Sequence, residues 1–313
     1  MAGEKRGTRD AYGDLLEEIG KNEKVVVLDA DLAGSTRSAK FQRLYPERFF
    51  NMGIAEQDMM GTAAGLASEG FVVFASTFAL FATGRPWGQI RQSICYNRLN
   101  VKIVASHGGI TVGQDGATHQ ALEDEALMRV LPGMTVLVPA DYNEAKSMIR
   151  YAYETEGPFY IRTSREKFPI IYGADYRYRH PGFSVVHEGD TVAILANGLL
   201  LHHAIEALPL IKERTGIVPC VVNVSSVKPL DTEALLALTQ KAKAFVVAEE
   251  HSVIGGLCSA VSEIMGQHRP IPLAFMGIEN RFGISGKPEE LFDFFKLNPE
   301  HFAEKIKHLL GKI

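Results

Sequence analysis

The sequence has few of the features that mark secreted, membrane-bound or nucleic-acid-binding proteins. Its three cysteines, Cys95, Cys220 and Cys258, lie too far apart for a metal-ligand motif or a disulfide framework, and they suit buried thiols in a reducing compartment. The longest apolar-rich stretch, 71–84, is too short to cross a bilayer. The formal charge is only −4, with both signs scattered along the chain. These absences predict a cytoplasmic protein without nucleic-acid or membrane partners.

The amino terminus lacks the basic segment and apolar run of a secretory signal. It opens with charge at 4–6, and we expect it to be the natural start of a subunit and not the edge of a fragment. With 46% hydrophobic residues in 313, the chain is long enough to bury two cores of ordinary size.

Short β-branched runs alternate with helical patterns along the chain, which is typical of parallel α/β sheets. In the first half the runs lie at 25–28, 71–74, 101–105, 135–138 and 159–162. In the second half they lie at 191–196, 220–224 and 244–248. The sequence therefore predicts two consecutive α/β domains, 1–172 and 189–313, joined by a linker at 173–188.

The connection at 107–119 is rich in groups that bind ligands. It contains two histidines, an aspartate and four glycines. Glycines let the backbone approach a ligand closely, and imidazoles beside a carboxylate suit hydroxyl groups or a developing oxyanion. A solvated loop and a zinc site are the alternatives, although the spacing fits no common zinc pattern. We favour recognition of a hydroxylated substrate by His107, Asp115 and His119.

Two further segments contain candidate site residues. Glu56 precedes a helix rich in small residues at 61–67. It is either a partner of the helix macrodipole or a partly desolvated carboxylate that relays protons. Phe78 and Phe81 lie three residues apart after the next strand, and on residue types alone core packing explains them.

Taken together and in order, these segments resemble the carboxy-terminal half of transketolase, a thiamine-diphosphate enzyme. The likeness covers nearly the whole chain and is strongest at 51–165. There the Gly-Ile-Ala-Glu-Gln run, the Ser-Thr-Phe turn, the His-Gly-Gly-Ile-Thr-Val-Gly-Gln-Asp-Gly-Ala-Thr-His-Gln loop and a Leu-Pro-Gly occur at family spacing. The resemblance implies a pyrimidine-binding domain followed by a transketolase carboxy-terminal domain that does not contact the cofactor directly.

The resemblance also implies roles around the cofactor. Glu56 would bond to a ring nitrogen of the aminopyrimidine, so that the exocyclic amine can deprotonate the thiazolium carbon. Phe78 and Phe81 would form the stacking wall for the pyrimidine, and Asp31 matches a carboxylate near the thiazolium ring. Some transketolases carry a third aromatic residue at the next turn, where this chain has Gly84.

For the substrate, the resemblance places Asp115 and His119 against the sugar hydroxyls and His107 toward the phosphate end. An arginine fork suits phosphate oxygens. Three positions match residues that hold that phosphate: Arg9, Ser35 and Arg165. The implied activity is transfer of a two-carbon ketol unit from a ketose phosphate to an aldose phosphate, as in the pentose phosphate pathway.

The sequence contains no Gly-Asp-Gly, the motif with which transketolases hold the cofactor's diphosphate and divalent ion. The resemblance therefore implies an amino-terminal transketolase subunit as partner. Thiamine diphosphate would be shared between the two chains, and Mg²⁺ or Ca²⁺ would be bound mainly by the partner, with no metal ligand assigned here. The implied assembly is a heterotetramer, a dimer of heterodimers.

Three alternatives remain open. A 1-deoxyxylulose-5-phosphate synthase shares the Gly-Ile-Ala-Glu-Gln run, but the segment at 106–109 is similar to transketolase. The beta subunit of 2-oxo acid dehydrogenases shares the two-domain plan and normally lacks a double-histidine loop. A catalytically silent transketolase-like binding module is the third. The Gly-rich turn at 249–257 is predicted to pack against the other domain or a neighbouring subunit, with no catalytic role.

Overall fold

The structure is a computed structural model that describes residues 4–313. Strands in the first half of the chain are β1 Lys5–Gly7, β2 Val25–Asp29, β3 Phe49–Asn51, β4 Val72–Ser76, β5 Val101–Ala105, β6 Thr135–Leu137, β7 Phe159–Arg162 and β8 Lys167–Pro169. Strands in the second half are β9 Ser184–His187, β10 Thr191–Ala196, β11 Cys220–Asn223, β12 Ser226–Lys228, β13 Ala242–Ser252 and β14 Leu273–Ile278.

Helices separate most of these strands. The first half contains α1 Thr8–Ile19, α2 Ala33–Thr36, α3 Ala39–Leu44, α4 Glu56–Ser68, α5 Ala79–Gly84, α6 Trp87–Gln89, α7 Asp124–Arg129 and α8 Tyr142–Glu154. The second half contains α9 Leu200–Glu206, α10 Leu208–Thr215, α11 Thr232–Leu238, α12 Leu257–His268, α13 Pro288–Phe294 and α14 Pro299–Leu310. Additional turns are the 3₁₀ segments Pro46–Arg48 and Ile110–Thr118 and the π-helical turn Ile90–Cys95. The predicted pair of consecutive α/β domains is confirmed.

The first sheet has the strand order β12-β6-β7-β5-β4-β2-β3. Its strands are parallel except β12, which runs antiparallel to β6. Helices cover both faces, so successive side chains enter different cores: Val73 and Ala75 of β4 lie in one, and Phe74 lies in the other. This two-sided burial explains the nearly continuous apolar runs seen in the sequence.

The second sheet has the order β14-β13-β10-β11-β9, with β9 antiparallel to β11 and the other pairs parallel. Strand β9 lies inside the range 173–188 that the sequence analysis treats as a linker. Strand β12 belongs to the second half of the chain and yet completes the first sheet. The two domains are therefore connected by this outermost strand of the first sheet as well as by the chain between them.

Helix α4 packs close to the first sheet because its inward face consists of small residues. Ala63, Ala64 and Ala67 are buried in the core beside Val73 and Ala75. Side chains of this size let a helix lie near the strands, and this fixes the position of its first residue, Glu56, at the carboxyl edge of the sheet. All three cysteines are buried and unpaired. Within residues 4–313 no helix has the length and apolar character of a membrane span.

Candidate functional site

The candidate residues gather at one edge of the first sheet, past the carboxyl ends of its strands. Asp31 and Ser35 follow β2, Phe78 and Phe81 follow β4, and Glu56 follows β3. The histidine-rich loop follows β5, and Arg165 follows β7. In parallel α/β sheets this edge is where ligands bind, because the loops after the strands converge there.

Glu56 begins helix α4 and its residue surface is 5% exposed. One of its oxygens accepts a hydrogen bond from Arg85 Nη1 at 2.5 Å. The Arg85 guanidinium also lies over the ring of Phe81, with its carbon 4.2 Å from the ring centroid. Sequence reasoning missed Arg85, since it lies 29 residues from Glu56 along the chain. The structure thus places the predicted carboxylate beside a predicted aromatic face.

The aromatic turn and the two histidines form one cluster. Phe78 and Phe81 stack with their ring centroids 5.9 Å apart. Phe78 also stacks on His107 at 3.8 Å, and the edge contact between Phe81 and His119 is 5.2 Å. Phe78 is buried, whereas Phe81 and His119 are partly exposed. These rings therefore do more than fill the core, because part of their surface faces the same open edge as Glu56.

His107 is held as a neutral imidazole. Its Nδ1 bonds to Ser106 Oγ at 2.7 Å, and its Nε2 lies 3.4 Å from Arg9 Nη1. Burial, together with the positive charges of Arg9 and Arg165, lowers the pKa of His107 to about 3. The backbone of His107 has a φ of 63°, which is uncommon for a residue with a side chain and marks a constrained loop start. A neutral ring here can offer a hydrogen bond without adding charge.

The predicted phosphate-binding residues form a basic rim next to His107. Arg9 Nη1 donates to the backbone carbonyl of Ser35 at 2.9 Å, and its Nε is buried without a hydrogen-bond partner among the described residues. Arg165 Nη1 donates to Val112 O at 3.3 Å and lies 3.8 Å from Asp115. Burial lowers the pKa of Arg9, and the charges of Arg37 and Arg165 lower it further. Because these arginines are close enough to repel one another, a bound anion would be favoured between them.

The carboxylates near β2 behave differently from one another. Asp31 is exposed, has a φ of 64°, and accepts a hydrogen bond from Asn51 at 2.9 Å. Asp29, which the sequence analysis did not single out, is fully buried. It accepts hydrogen bonds from the Leu32 backbone and the Thr36 hydroxyl, and burial raises its pKa to about 6. Asp29 therefore shapes the turn that presents Asp31 and Ser35.

The histidine-rich loop is anchored by the second domain. Ile110, inside the loop, and Leu122, three residues beyond it, belong to the apolar core of that domain. Glu250 accepts a hydrogen bond from the Thr111 backbone at 2.7 Å. Gly109 lies directly against this carboxylate, since a Cβ there would stand 2.2 Å from the nearer Glu250 oxygen. The Gly-rich turn after β13 packs on the first domain as predicted, because a Cβ at Gly255 would meet Ala126 at 2.5 Å.

Glu250→Gln should change how stability depends on pH. Burial raises the pKa of Glu250 from 4.5 to about 7, against the opposing charge of Arg162. Between pH 4.5 and 7 the folded chain therefore holds a proton that the unfolded chain has lost. The contribution of Glu250 to stability is therefore complete below pH 4.5 and is lost as the pH rises through 7. Urea unfolding measures the free energy of unfolding of both proteins at pH 5 and at pH 8. From pH 5 to pH 8 the difference between them should shift in favour of the variant by about 1–3 kcal/mol. A difference that does not vary with pH would contradict this assignment.

The site thus combines three kinds of groups along one edge. The first is a buried carboxylate beside an aromatic face, the second is a pair of imidazoles on the same aromatic cluster, and the third is a basic rim. Such an arrangement can bind a flat heteroaromatic ring, exchange a proton with it, and hold a hydroxylated anion nearby.

Two family models match the chain. Residues 4–170 match the pyrimidine-binding domain of transketolase, and residues 183–302 match the transketolase C-terminal domain. A putative transketolase C-terminal section from Methanocaldococcus jannaschii is 44% identical, over 100% of this chain and 99% of its own length. The 6-deoxy-6-sulfo-D-fructose transketolase subunit SqwH from Clostridium sp. (strain MSTE9) is 39% identical, over 96% of this chain and 93% of its own.

A solved structure shows the same architecture. It is a split-gene transketolase described as an inactive beta4 tetramer, 45% identical to this chain, with a TM-score of 0.88. The match covers 97% of this chain and 98% of that one.

Proposed function

This chain belongs to the transketolase family, and we propose that it is the carboxy-terminal subunit of a two-chain transketolase that moves a two-carbon ketol unit from a ketose phosphate to an aldose phosphate. The observation that carries the proposal is the position of Glu56. This carboxylate is buried at the sheet edge where Phe78, Phe81 and both loop histidines meet. The relatives from Methanocaldococcus and Clostridium support a division of the enzyme between two chains.

The residues present fit one part of thiamine diphosphate. Phe78 and Phe81 offer aromatic faces for a pyrimidine, and Glu56 offers an acceptor at the edge of that ring. The sequence has no Gly-Asp-Gly for the diphosphate. We therefore assign the diphosphate and its Mg²⁺ or Ca²⁺ to an amino-terminal partner, in a dimer of heterodimers. When bound, the cofactor supplies a nucleophilic thiazolium carbon.

Each residue of this chain then has a stated task. Glu56 holds or accepts a proton at its carboxylate, facing the ring nitrogen. His107, neutral because it is buried among arginines, donates or accepts hydrogen bonds to substrate oxygens without repelling nearby cations. His119 and Asp115 orient the sugar hydroxyls from the same loop, and Asp31 lies toward the thiazolium side. The second domain holds this loop in place through Glu250.

The basic rim recognises the charged end of the substrate. Arg9 has a free buried donor at Nε, Arg165 is 46% exposed at its side chain, and Ser35 orients Arg9 through its carbonyl. A guanidinium can pair with the oxygens of a phosphate and also with those of a sulfonate. The substrates of the pentose phosphate pathway are the first to test, and the name of the Clostridium relative adds a sulfonated ketose. The unpaired buried thiols fit a cytoplasmic location.

The proposal is tested by calorimetric titration of thiamine diphosphate and Mg²⁺ into this chain, alone and with an amino-terminal subunit from the same genome. Tight binding only in the mixture, with ketol transfer from xylulose 5-phosphate to ribose 5-phosphate, is the expected result. Tight binding by this chain alone would contradict the need for a partner. Neither binding nor transfer in the mixture would favour a silent binding module.

Arg165→Ala should weaken binding of phosphorylated sugars specifically. A lost charge-assisted hydrogen bond to phosphate corresponds to a rise in KM of about 10- to 100-fold, with kcat changed much less. Steady-state kinetics of the two-chain enzyme with xylulose 5-phosphate measure this effect. Unphosphorylated xylulose serves as the control, because its KM should not respond to the substitution. Equal losses for both sugars would remove Arg165 from the phosphate site.

A further inference from the structure

Arg85 makes two contacts that coincide with those proposed for the cofactor's pyrimidine ring. Its guanidinium lies over the face of Phe81, 4.2 Å from the centroid, and its Nη1 donates to Glu56 at 2.5 Å. A guanidinium is planar and carries N–H groups at its edge, as an aminopyrimidine does. The Arg85 side chain thus occupies both the face of Phe81 and the carboxylate of Glu56.

We propose that Arg85 is an internal occupant of the pyrimidine site, which fills the site in the cofactor-free chain and leaves when the cofactor binds. This inference rests on the proposed function, since it needs Phe81 and Glu56 to be the pyrimidine contacts. It gives Arg85 a role in cofactor affinity: the bound ring and the guanidinium cannot lie on the same face of Phe81 at the same time.

The surroundings allow Arg85 to move without unfolding the site. Its side chain is 49% exposed, so it can turn into solvent. Apart from its chain neighbours and the backbone of its own helix, Gly84 has no heavy atom within 4 Å of the place where its Cβ would stand, so the position of the third aromatic in some transketolases is open to solvent or ligand. The backbone is held, because the Gln57 side chain donates to Arg85 O at 3.2 Å. Release therefore requires only rotation of the side chain.

The pairing also explains how an almost fully buried carboxylate is tolerated without cofactor. Glu56 is 5% exposed, and a buried charge is costly unless a partner neutralises it. Arg85 provides that partner until the cofactor replaces it. The competition lowers the apparent affinity for the cofactor, because only the fraction of chains in which Arg85 has left the site can bind it.

The test compares thiamine diphosphate affinity, with Mg²⁺, of the two-chain complex carrying wild-type chain, Arg85→Ala or Arg91→Ala. Arg91 is an exposed arginine of the same region and serves as the matched control. Removing the competitor should lower the Kd of Arg85→Ala by about three- to tenfold, as expected for a half-exposed ion pair with a cation–π contact. Arg91→Ala should stay at the wild-type value. An unchanged or higher Kd for Arg85→Ala would overturn the proposal.

A second measurement follows the position of the arginine. Trp87 is the only tryptophan in the sequence and lies two residues from Arg85. In the two-chain complex with 5-fluorotryptophan incorporated only into this chain, cofactor binding should shift its fluorine resonance in the wild type and shift it much less in Arg85→Ala. Equal shifts would overturn the proposal. If no complex binds thiamine diphosphate, the proposed function itself fails along with this inference, whereas binding with the wrong affinity order rejects Arg85 alone.

Discussion

Glu56→Gln should reduce ketol transfer by the two-chain enzyme by about 10²–10⁴-fold, the contribution typical of a positioned general acid or base. The amide keeps the volume of the carboxylate at the start of α4 but cannot exchange a proton with a ring nitrogen. The direct measurement is deuterium exchange at the thiazolium carbon of bound thiamine diphosphate, followed by NMR. We expect exchange to slow by a similar factor.

Asp58→Asn is the control for this experiment. Asp58 lies in the same first turn of α4, and its side chain is exposed. The substitution removes the same charge from the same helix end, so it reports any general effect on the helix dipole. Its exchange rate should stay within about twofold of the wild type. Wild-type exchange in Glu56→Gln would remove Glu56 from the proton transfer.

Arg162→Met should be the most destabilising single substitution considered for this chain. Arg162 is buried between the domains and donates to Asp124 at 2.8 Å and to the Glu250 carbonyl at 2.9 Å. Around it lie three buried carboxyl groups, those of Asp124, Glu125 and Glu250. Burial alone would lower the pKa of Arg162, but the charges of Asp124 and Glu125 hold it above its ordinary value. Without this cation, the acids lose their main counter-charge.

The expected loss is about 3–5 kcal/mol in the free energy of unfolding, as found when one partner of a buried ion pair is removed. Urea unfolding of the chain measures it. Arg179→Met, at an exposed arginine, should change stability by less than about 0.5 kcal/mol. Adding Asp124→Asn to Arg162→Met should recover part of the loss, because one uncompensated charge is removed. If Arg162→Met lost no more stability than Arg179→Met, water or protonation of the carboxyl groups would already compensate for the missing cation. The prediction would then be wrong.

Local patterns were sufficient for much of the fold and for part of the site. The apolar runs predicted β2, β5 and β7 within a residue, because strands buried on both faces are predominantly apolar. The contact between Phe78 and His107 agrees with the rule that loops after parallel strands converge, whereas on residue types alone the sequence analysis explained Phe78 by core packing.

Contacts between distant segments were beyond this reasoning. Arg85 pairs with Glu56 only because α4 and the end of α5 lie side by side, and nothing in either segment specifies that approach. Glu250 supports Thr111 across 139 residues, from a turn that looks merely structural in the sequence. Strand β12 is three residues long, too short for periodicity to reveal it or to show which sheet it joins.

The contribution of β12 to the first sheet has a practical consequence for dividing this protein. Separating the halves near residue 182, where the family models suggest a cut, would leave β6 as an uncovered edge with unpaired backbone groups. Open edges of this kind recruit strands from other molecules. The amino-terminal half made alone should therefore tend to self-associate. A version that ends after Lys228 would keep β6 paired with β12, but it would uncover β10 in the second sheet by removing β13.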